Sequence, residues 1–291
     1  MKYKFSHIAL STSSQDKRVL PIATQVYEIL SNAGIKVSFD VNLEKLEQDT
    51  KIKHKSSNYI INNAELLIAI GGDGTMLNCS RRYGSKGVSL LGINLGKVGF
   101  LSDIAPNEIT SRLLEVIKGD YIEDKRFFLE ASIEEKKGIY TALNEIVIHS
   151  GAIAQLIEFD LYIDDSFVYR QKADGLIINS PTGSTAYSLS GGGPIVHPSL
   201  EAITLLPMFP QSLSTSPLVV KASSKITVDL INNKLKSQLS FDSHESLLVK
   251  GQQEIIISRS KSDLNLIHPK DNNFFEGCRN KLGWSSSLPK K

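Results

Sequence analysis

The stretch "LLIAIGGDGTMLNCS", Leu66 to Ser80, decides the fold class. An apolar run, Leu66 to Ile70, stops at Gly71-Gly72-Asp73-Gly74, and polarity resumes after it. Gly and Asp form turns, so a hairpin corner at Asp73-Gly74 is one reading. It fits poorly, because "TMLNCSRRYG" looks helical and no alternating strand returns. Strand, glycine turn and helix in succession imply a parallel α/β sheet. Glycines let the backbone approach an anion closely, and a helix N-terminus turns unpaired N–H groups toward phosphate. In open parallel sheets, ligands bind at the carboxyl ends of strands.

Asp73 needs its own explanation, since a carboxylate repels a polyanion. Either it holds a divalent cation that bridges phosphates, or it accepts the proton of an attacking hydroxyl. Both roles belong to phosphoryl transfer. No Gly-Lys-Ser/Thr follows, so this is not a Walker loop, and the G-x-G-x-x-G spacing of a dinucleotide fold is absent.

The flanking sequence carries the same rhythm. "HIALS" (His7 to Ser11) reads as a strand, followed by Val19, Ile22, Val26, Ile29 and Leu30 at helical spacing, with Gly34 at the C-cap. "IKVSFDV" (Ile35 to Val41) and "LLGIN" (Leu90 to Asn94) add strands. "APNEITSRLLEVIKG" has Pro106 near its start and Gly119 just past its end, as a helix requires. The expectation is an α/β domain with a Rossmann-like parallel sheet over residues 1–120.

After Tyr121 the runs become short, β-rich and separated by turns: "FFLEASIEE", "ALNEIVIHS", "LIEFDLYIDD", "SFVYRQ", "DGLIINS", "KITVDLI" and "EIIISRS". Asp164-Asp165 looks like a hairpin corner. The spacing predicts an all-β, sandwich-like domain over 121–267, making the whole α+β. "NNFFEGCRNKLGW" (Asn272 to Trp284) reads as a helix or turn, and the tail from about 268 to 291 is expected to pack back on the first domain.

Composition sets outer limits. Lys plus Arg number 33 against 31 Asp plus Glu over 291 residues, so no strong field points to nucleic acid or membrane. "KIKHK" (Lys51 to Lys55) reads as a solvated loop. No apolar run approaches the ~18 residues of a membrane span, and the N-terminus lacks a signal-peptide pattern. Two cysteines, Cys79 and Cys278, give neither a disulfide framework nor a metal cluster, which points to a reducing cytoplasm.

Three further segments carry polar groups where chemistry would use them. In "LGKVGFLSD" (Leu95 to Asp103), Gly96 and Gly99 bracket Lys97 at another strand end, a second wall for one crevice. In "ALNEIVIH", Asn144 and Glu145 sit within an apolar strand, and burying one without a partner costs about 1–3 kcal/mol. They form either a capped strand end or a hydrogen-bonding site for a ribose or an adenine edge. "KADGLIINSPTGSTAYSLSGGGPIVHP" (Lys172 to Pro198) concentrates Ser, Thr and Gly suited to ribose and phosphate oxygens, with Tyr187 as a flat face for a ring. Asp174-Gly175 is a turn, or its carboxylate orients a substrate hydroxyl. Ser184 lacks the G-x-S-x-G setting of a nucleophile, and His149, His197 and His244 lack metal-ligand spacing.

Together these segments resemble the NAD kinase family: the Gly-Gly-Asp-Gly-Thr turn as Gly71 to Thr75, the Asn-Glu pair as Asn144-Glu145, and the Thr-Gly-Ser-Thr-Ala-Tyr-Ser loop as Thr182 to Ser188, with Gly191 to Pro194 after it. The resemblance implies ATP-dependent phosphorylation of the adenosine ribose 2′-hydroxyl of NAD, giving NADP, at a site between the α/β and β domains. It implies that Asp73 is the base and that Gly71, Gly72, Gly74 and Thr75 cradle ATP phosphates, with Asp73 and Gly74 also meeting NAD. Asn144 and Glu145 would bind the adenosine half of NAD. Asp174 and the loop Thr185, Ala186, Tyr187, Ser188, Leu189 and Ser190 would bind the nicotinamide half in a homo-oligomer, dimer or tetramer, with the NAD site near a subunit interface. Lys172 stands where related bacterial enzymes often carry arginine, and Gln155 and His244 fall near the ligand. A divalent metal, Mg²⁺, is expected to come with ATP, and no residue is assigned to hold it.

Overall fold

The computed structural model describes residues 3–40, 43, 54–96, 99–134, 136–151, 155–212, 214–231, 236–250 and 252–284. Lys97, the Lys51–Lys53 part of the basic segment and the tail beyond residue 284 lie outside the described residues. The chain divides into two compact units, Met1–Lys125 with Leu264–Lys291, and Arg126–Asp263.

The first unit runs β1 (His7–Ser11), α1 (Val19–Asn32), β2 (Lys36–Asp40), β3 (His54–Lys55), α2 (Ser57–Asn63), β4 (Leu66–Ile70), α3 (Asp73–Arg82), β5 (Ser89–Ile93) and α4 (Ile109–Lys118). The strands are parallel in the order β3-β2-β1-β4-β5. Their alternation sorts the core. Ile8, Leu10, Val37, Phe39, Leu66, Ile68, Ile70, Leu91 and Ile93 share one cluster with Val19, Ile22, Val26 and Leu30 of α1 and Leu113, Val116 and Ile117 of α4. Each such side chain contributes about 1.5–3 kcal/mol on burial. Gly34 (φ 71°) and Gly119 (φ 95°) end the two helices in the left-handed conformation a side chain resists.

The second unit contains β7 (Lys136–Ala142), β8 (Glu145–His149), β9 (Ile157–Ile163), β10 (Ser166–Ala173), β11 (Gly175–Asn179), the short α5 (Tyr187–Ser190), β12 (Ala202–Met208), β13 (Leu218–Lys221), β14 (Ile226–Leu230), β15 (Lys236–Phe241) and β16 (Glu245–Lys250). The chain enters this unit within β6 (Tyr121–Ile133) and leaves it within β17 (Glu254–Pro269), after which α6 spans Phe274–Leu282. An antiparallel six-stranded sheet, β13-β12-β11-β8-β15-β16, shares one apolar core with β9, β14 and the first half of β17. In the first unit the far end of β17 pairs parallel with β5, Leu266 opposite Leu90.

Two local expectations change. Asn144 is not in the apolar strand: β8 begins at Glu145, and Asn144 lies in the bend before it. Gly175 is not a turn glycine but the first residue of β11, where a Cβ would stand 2.5 Å from the Ile148 carbonyl oxygen. The Pro181–Pro194 stretch is ordered, with a 3₁₀ turn at Thr182–Thr185 leading into α5. The Asp164-Asp165 corner is a hairpin turn as expected, with both residues at positive φ (49° and 64°), the twist a two-residue turn needs.

Candidate active site

β1 and β4 are neighbours, and the chain winds outward from them in opposite directions, to β2 and to β5. The Gly71 turn at the end of β4 therefore sits where the strand order reverses, the place where open α/β sheets bind ligands. The end of β1 ties to it: Thr12 Oγ1 donates to the Ile70 carbonyl (2.7 Å) and Ser13 Oγ to Thr75 Oγ1 (3.2 Å).

The three glycines of the turn differ. Gly71 has φ 154°, and a Cβ there would stand 2.2 Å from Thr75 Oγ1, so the fold itself excludes a side chain. A Cβ on Gly72 or Gly74 would meet nothing within 4 Å. Gly74 lies inside the first turn of α3, where glycine costs about 1 kcal/mol relative to alanine. The fold does not need these two bare, so their bareness leaves open space beside the helix N-terminus.

The Asp73 carboxylate carries donors on both oxygens. The Phe100 amide donates to Oδ2 (2.9 Å), the Leu101 amide to Oδ1 (3.0 Å) and Ser102 Oγ to Oδ1 (3.3 Å). Lys281 Nζ, on α6, stands 3.4 Å from Oδ2. Gly99 must be glycine for this to happen, because a Cβ there would fall 1.9 Å from Oδ1. The loop after β5, expected to wall a crevice, grips the acid with its backbone amides. Among the described residues no cluster of three or more His, Cys, Asp or Glu could hold a metal ion.

In the second unit, Glu145 and Asn179 stand opposite each other on β8 and β11. Ile146 and Ile148 belong to the main core and Val147 to a smaller cluster with Ile177 and Leu206, so Glu145 turns to that smaller cluster's face. Burial and then the Asp242 charge push the Glu145 pKa up to about 8, while the Tyr187 amide hydrogen-bonds its carboxyl. Asp242 itself accepts from the amides of Leu143 (2.9 Å), Asn144 (2.7 Å) and Glu145 (3.2 Å). Among the buried side-chain atoms of the described residues that lack a hydrogen-bond partner, Asn144 Oδ1, Glu145 Oε2, Asn179 Oδ1 and Ser188 Oγ all belong to these segments. Orphaned buried atoms are costly, and a group of them suggests a ligand that satisfies them.

The glycine-rich loop is fastened to this group. A Cβ on Gly183 would stand 2.2 Å from the Asn144 carbonyl oxygen. Ser184 is a staple: its hydroxyl bonds the carbonyls of Pro181 (2.6 Å) and Val196 (3.1 Å) and the Val196 amide (3.0 Å). Ser188 is buried, whereas Tyr187 is 44% exposed, a free face. Thr185, Ala186, Leu189 and Ser190 lie on the same turn. Asp174 precedes β11, its amide bonded to the Met208 carbonyl. Lys172 faces Glu158 on its own hairpin, 3.5 Å away. Gln155 and His244 are exposed, and His244 follows the Asp242-Ser243 turn.

Sequence reasoning missed Asp242, Asn179 and Lys281. "FDSHE" between two alternating runs was a usable signal for a hairpin turn, and Asp242 and Ser243 both take positive φ (49° and 56°).

Two family models match the chain: the ATP-NAD kinase N-terminal domain over residues 8–121 and the ATP-NAD kinase C-terminal domain over residues 143–269. The chain belongs to the NAD kinase family. The NAD kinase of Saccharophagus degradans is 43% identical over 266 residues, 90% of either chain. That of Salmonella newport is 40% identical over 291 residues, 99% of this chain and 100% of the other. Among solved structures, yeast NADH kinase complexed with NADH is similar, with TM-score 0.87 and 28% identity over 98% of this chain and 90% of that one. An NAD kinase from Archaeoglobus fulgidus in complex with ATP gives TM-score 0.74 and 26% identity, over 97% and 100%. The first NAD kinase match holds the Asp73 turn, and the second begins one residue before Asn144.

Proposed function

We propose a division of labour for the reaction of this NAD kinase, transfer of the γ-phosphoryl group of ATP to the 2′-hydroxyl of the adenosine ribose of NAD. Asp73 accepts the 2′-hydroxyl proton. The 2′-oxygen attacks the γ-phosphorus, the bond to the bridging oxygen breaks, and ADP leaves. The Gly71–Thr75 turn binds the phosphates through the amides that open α3 and the space over Gly72 and Gly74. The observation that carries this reading is an acid fixed by backbone donors beside space that the fold alone does not require.

Asn144 and Glu145 bind the adenosine half of NAD, and Asp174 with the Thr185–Ser190 loop binds the nicotinamide half, Tyr187 offering its ring. The orphaned atoms Asn144 Oδ1, Glu145 Oε2 and Ser188 Oγ support this. In the same proposal Lys172, Gln155 and His244 also meet NAD. The divalent ion, Mg²⁺, enters as part of the ATP substrate, held through phosphate oxygens. The enzyme works as a homo-oligomer, dimer or tetramer, in the cytoplasm. No helix among the described residues is long and apolar enough to cross a membrane.

The test is to incubate the protein with NAD, ATP and Mg²⁺ and read NADP with an NADP-specific dehydrogenase. NADP formation by the native chain and its loss in Asp73→Asn, with NAD binding retained by calorimetry, are expected. Full turnover by Asp73→Asn would remove Asp73 as the base. A parallel assay of oligomer mass by light scattering checks the assembly.

A further inference from the structure

Lys281 takes no part in the reaction as derived so far, yet it reaches the reacting acid across 208 residues of chain. α6 is built to place it. Asn273 caps the helix by accepting from the Phe275 and Glu276 amides, and Gly283 (φ 68°) closes it one turn past Arg279. The segment before it is anchored by Arg112 to Asp271 (2.5 Å). Gly277 lies against the Phe100 ring, a Cβ there falling 3.8 Å from it, and one turn later Lys281 Nζ stands 4.5 Å from the centre of the same ring. Phe100 is also the residue whose amide grips Asp73.

A carboxylate offers about four acceptor positions. On Asp73 they are taken by Phe100, Leu101, Ser102 and Lys281. A substrate hydroxyl can dock on this acid only if one donor withdraws. The two amides are fixed by the backbone. Lys281 is the longest contact, on a flexible stem, and is 23% exposed at its side chain. A hydroxyl docks about 2.7 Å from the carboxylate, and phosphorus about 3–3.5 Å from the attacking oxygen. An ammonium released from the same carboxylate therefore meets the oxygens of the transferring group.

We propose that Lys281 is a catalytic cation: it neutralises Asp73 in the free enzyme, yields its place to the incoming 2′-hydroxyl, and moves onto the phosphoryl group in transfer. This rests on Asp73 being the base. A mobile cation suits the task, since negative charge spreads over the equatorial phosphoryl oxygens in the transition state. No extra reactant is needed, for Lys281 keeps its protons throughout.

The experiment compares Lys281→Met, Lys281→Gln and Lys281→Arg with the native enzyme and Asp73→Asn at saturating NAD, ATP and Mg²⁺. The expected result is a fall in kcat of roughly 10²-fold for Met and Gln, with KM for NAD within about threefold of native, and recovery of at least a tenth of native kcat by Arg. Native kcat in the Gln variant, a loss confined to KM, failure of Arg to restore the rate, or unfolding of both neutral variants would overturn it. If instead Asp73→Asn keeps turnover, the base assignment falls on its own, whatever the lysine variants do.

Discussion

Asp73 and Glu145 are two carboxyl groups, one in each unit, with opposite surroundings. Asp73 stands at a strand end, gripped by two backbone amides, a hydroxyl and an ammonium. Glu145 is 4% exposed, receives the Tyr187 amide, and faces a second carboxylate, Asp242. Donors converge on the first, while burial and like charge act against ionisation of the second. The contrast supports the proposal that Asp73 works on a proton and Glu145 meets a ligand. Each prediction strains one side of it.

The largest effect belongs to Asp73→Asn. The amide keeps size and one acceptor but takes no proton, so turnover should fall by about 10²–10⁴-fold, the usual worth of a general base. NAD affinity by calorimetry should stay within a few-fold. A variant that loses affinity instead of turnover would make Asp73 a binding group and erase the contrast.

Next is Glu145→Gln, read as stability against pH. The folded pKa of about 8 lies above the ordinary 4.5, so the folded state binds the proton more tightly than the unfolded one. The stabilisation is fully present below pH 4.5 and is lost as pH rises through 8. The Gln variant has no such loss. It should gain on the native protein between pH 5 and 9 by up to about 4 kcal/mol at ~1.4 kcal/mol per pKa unit, less where water reaches the group. Urea unfolding at several pH values reads this directly, and parallel curves for the two proteins would place Glu145 among ordinary carboxylates.

What could be read in advance follows from how local each feature is. The strand, bare turn and helix of Leu66–Arg82 lie in consecutive residues, so their pattern was visible, as were Gly34, Gly119 and the Asp164-Asp165 corner. The direction in which Glu145 points depends on the register of β8 against β11, which no local pattern reports. Asn179 hid in the apolar run "LIIN". β12 carries Pro207 opposite Leu176, and a proline argues against a strand. Asp242 escaped because its part, accepting the amides of Leu143, Asn144 and Glu145, joins positions 97 to 99 residues apart. Lys281 lies 208 residues from Asp73, beyond any spacing argument.

A smaller effect is expected at Gly99. A methyl group there would need the space of Asp73 Oδ1, 1.9 Å away, so Gly99→Ala must push the carboxylate off its amides. Such a displacement should cost about 1–3 kcal/mol in kcat/KM, roughly 10–100-fold, with little change in unfolding midpoint because the carboxylate is part-exposed. A fully active Gly99→Ala would mean that the amide grip is incidental.

The smallest, and the most discriminating between fold and function, is Gly74→Ala. The added Cβ meets nothing within 4 Å and sits in a helix, so the fold should gain about 0.5–1 kcal/mol. If the space over the turn belongs to ATP, the same methyl should raise KM for ATP several-fold while KM for NAD moves less. Thermal unfolding and steady-state kinetics on one preparation decide the matter. A stabilised variant with native KM for both substrates would show that Gly74 is bare without purpose, and the phosphates would then have to be sought elsewhere along the strand ends, beginning with Ser13 and Thr75, whose hydroxyls already face each other at 3.2 Å.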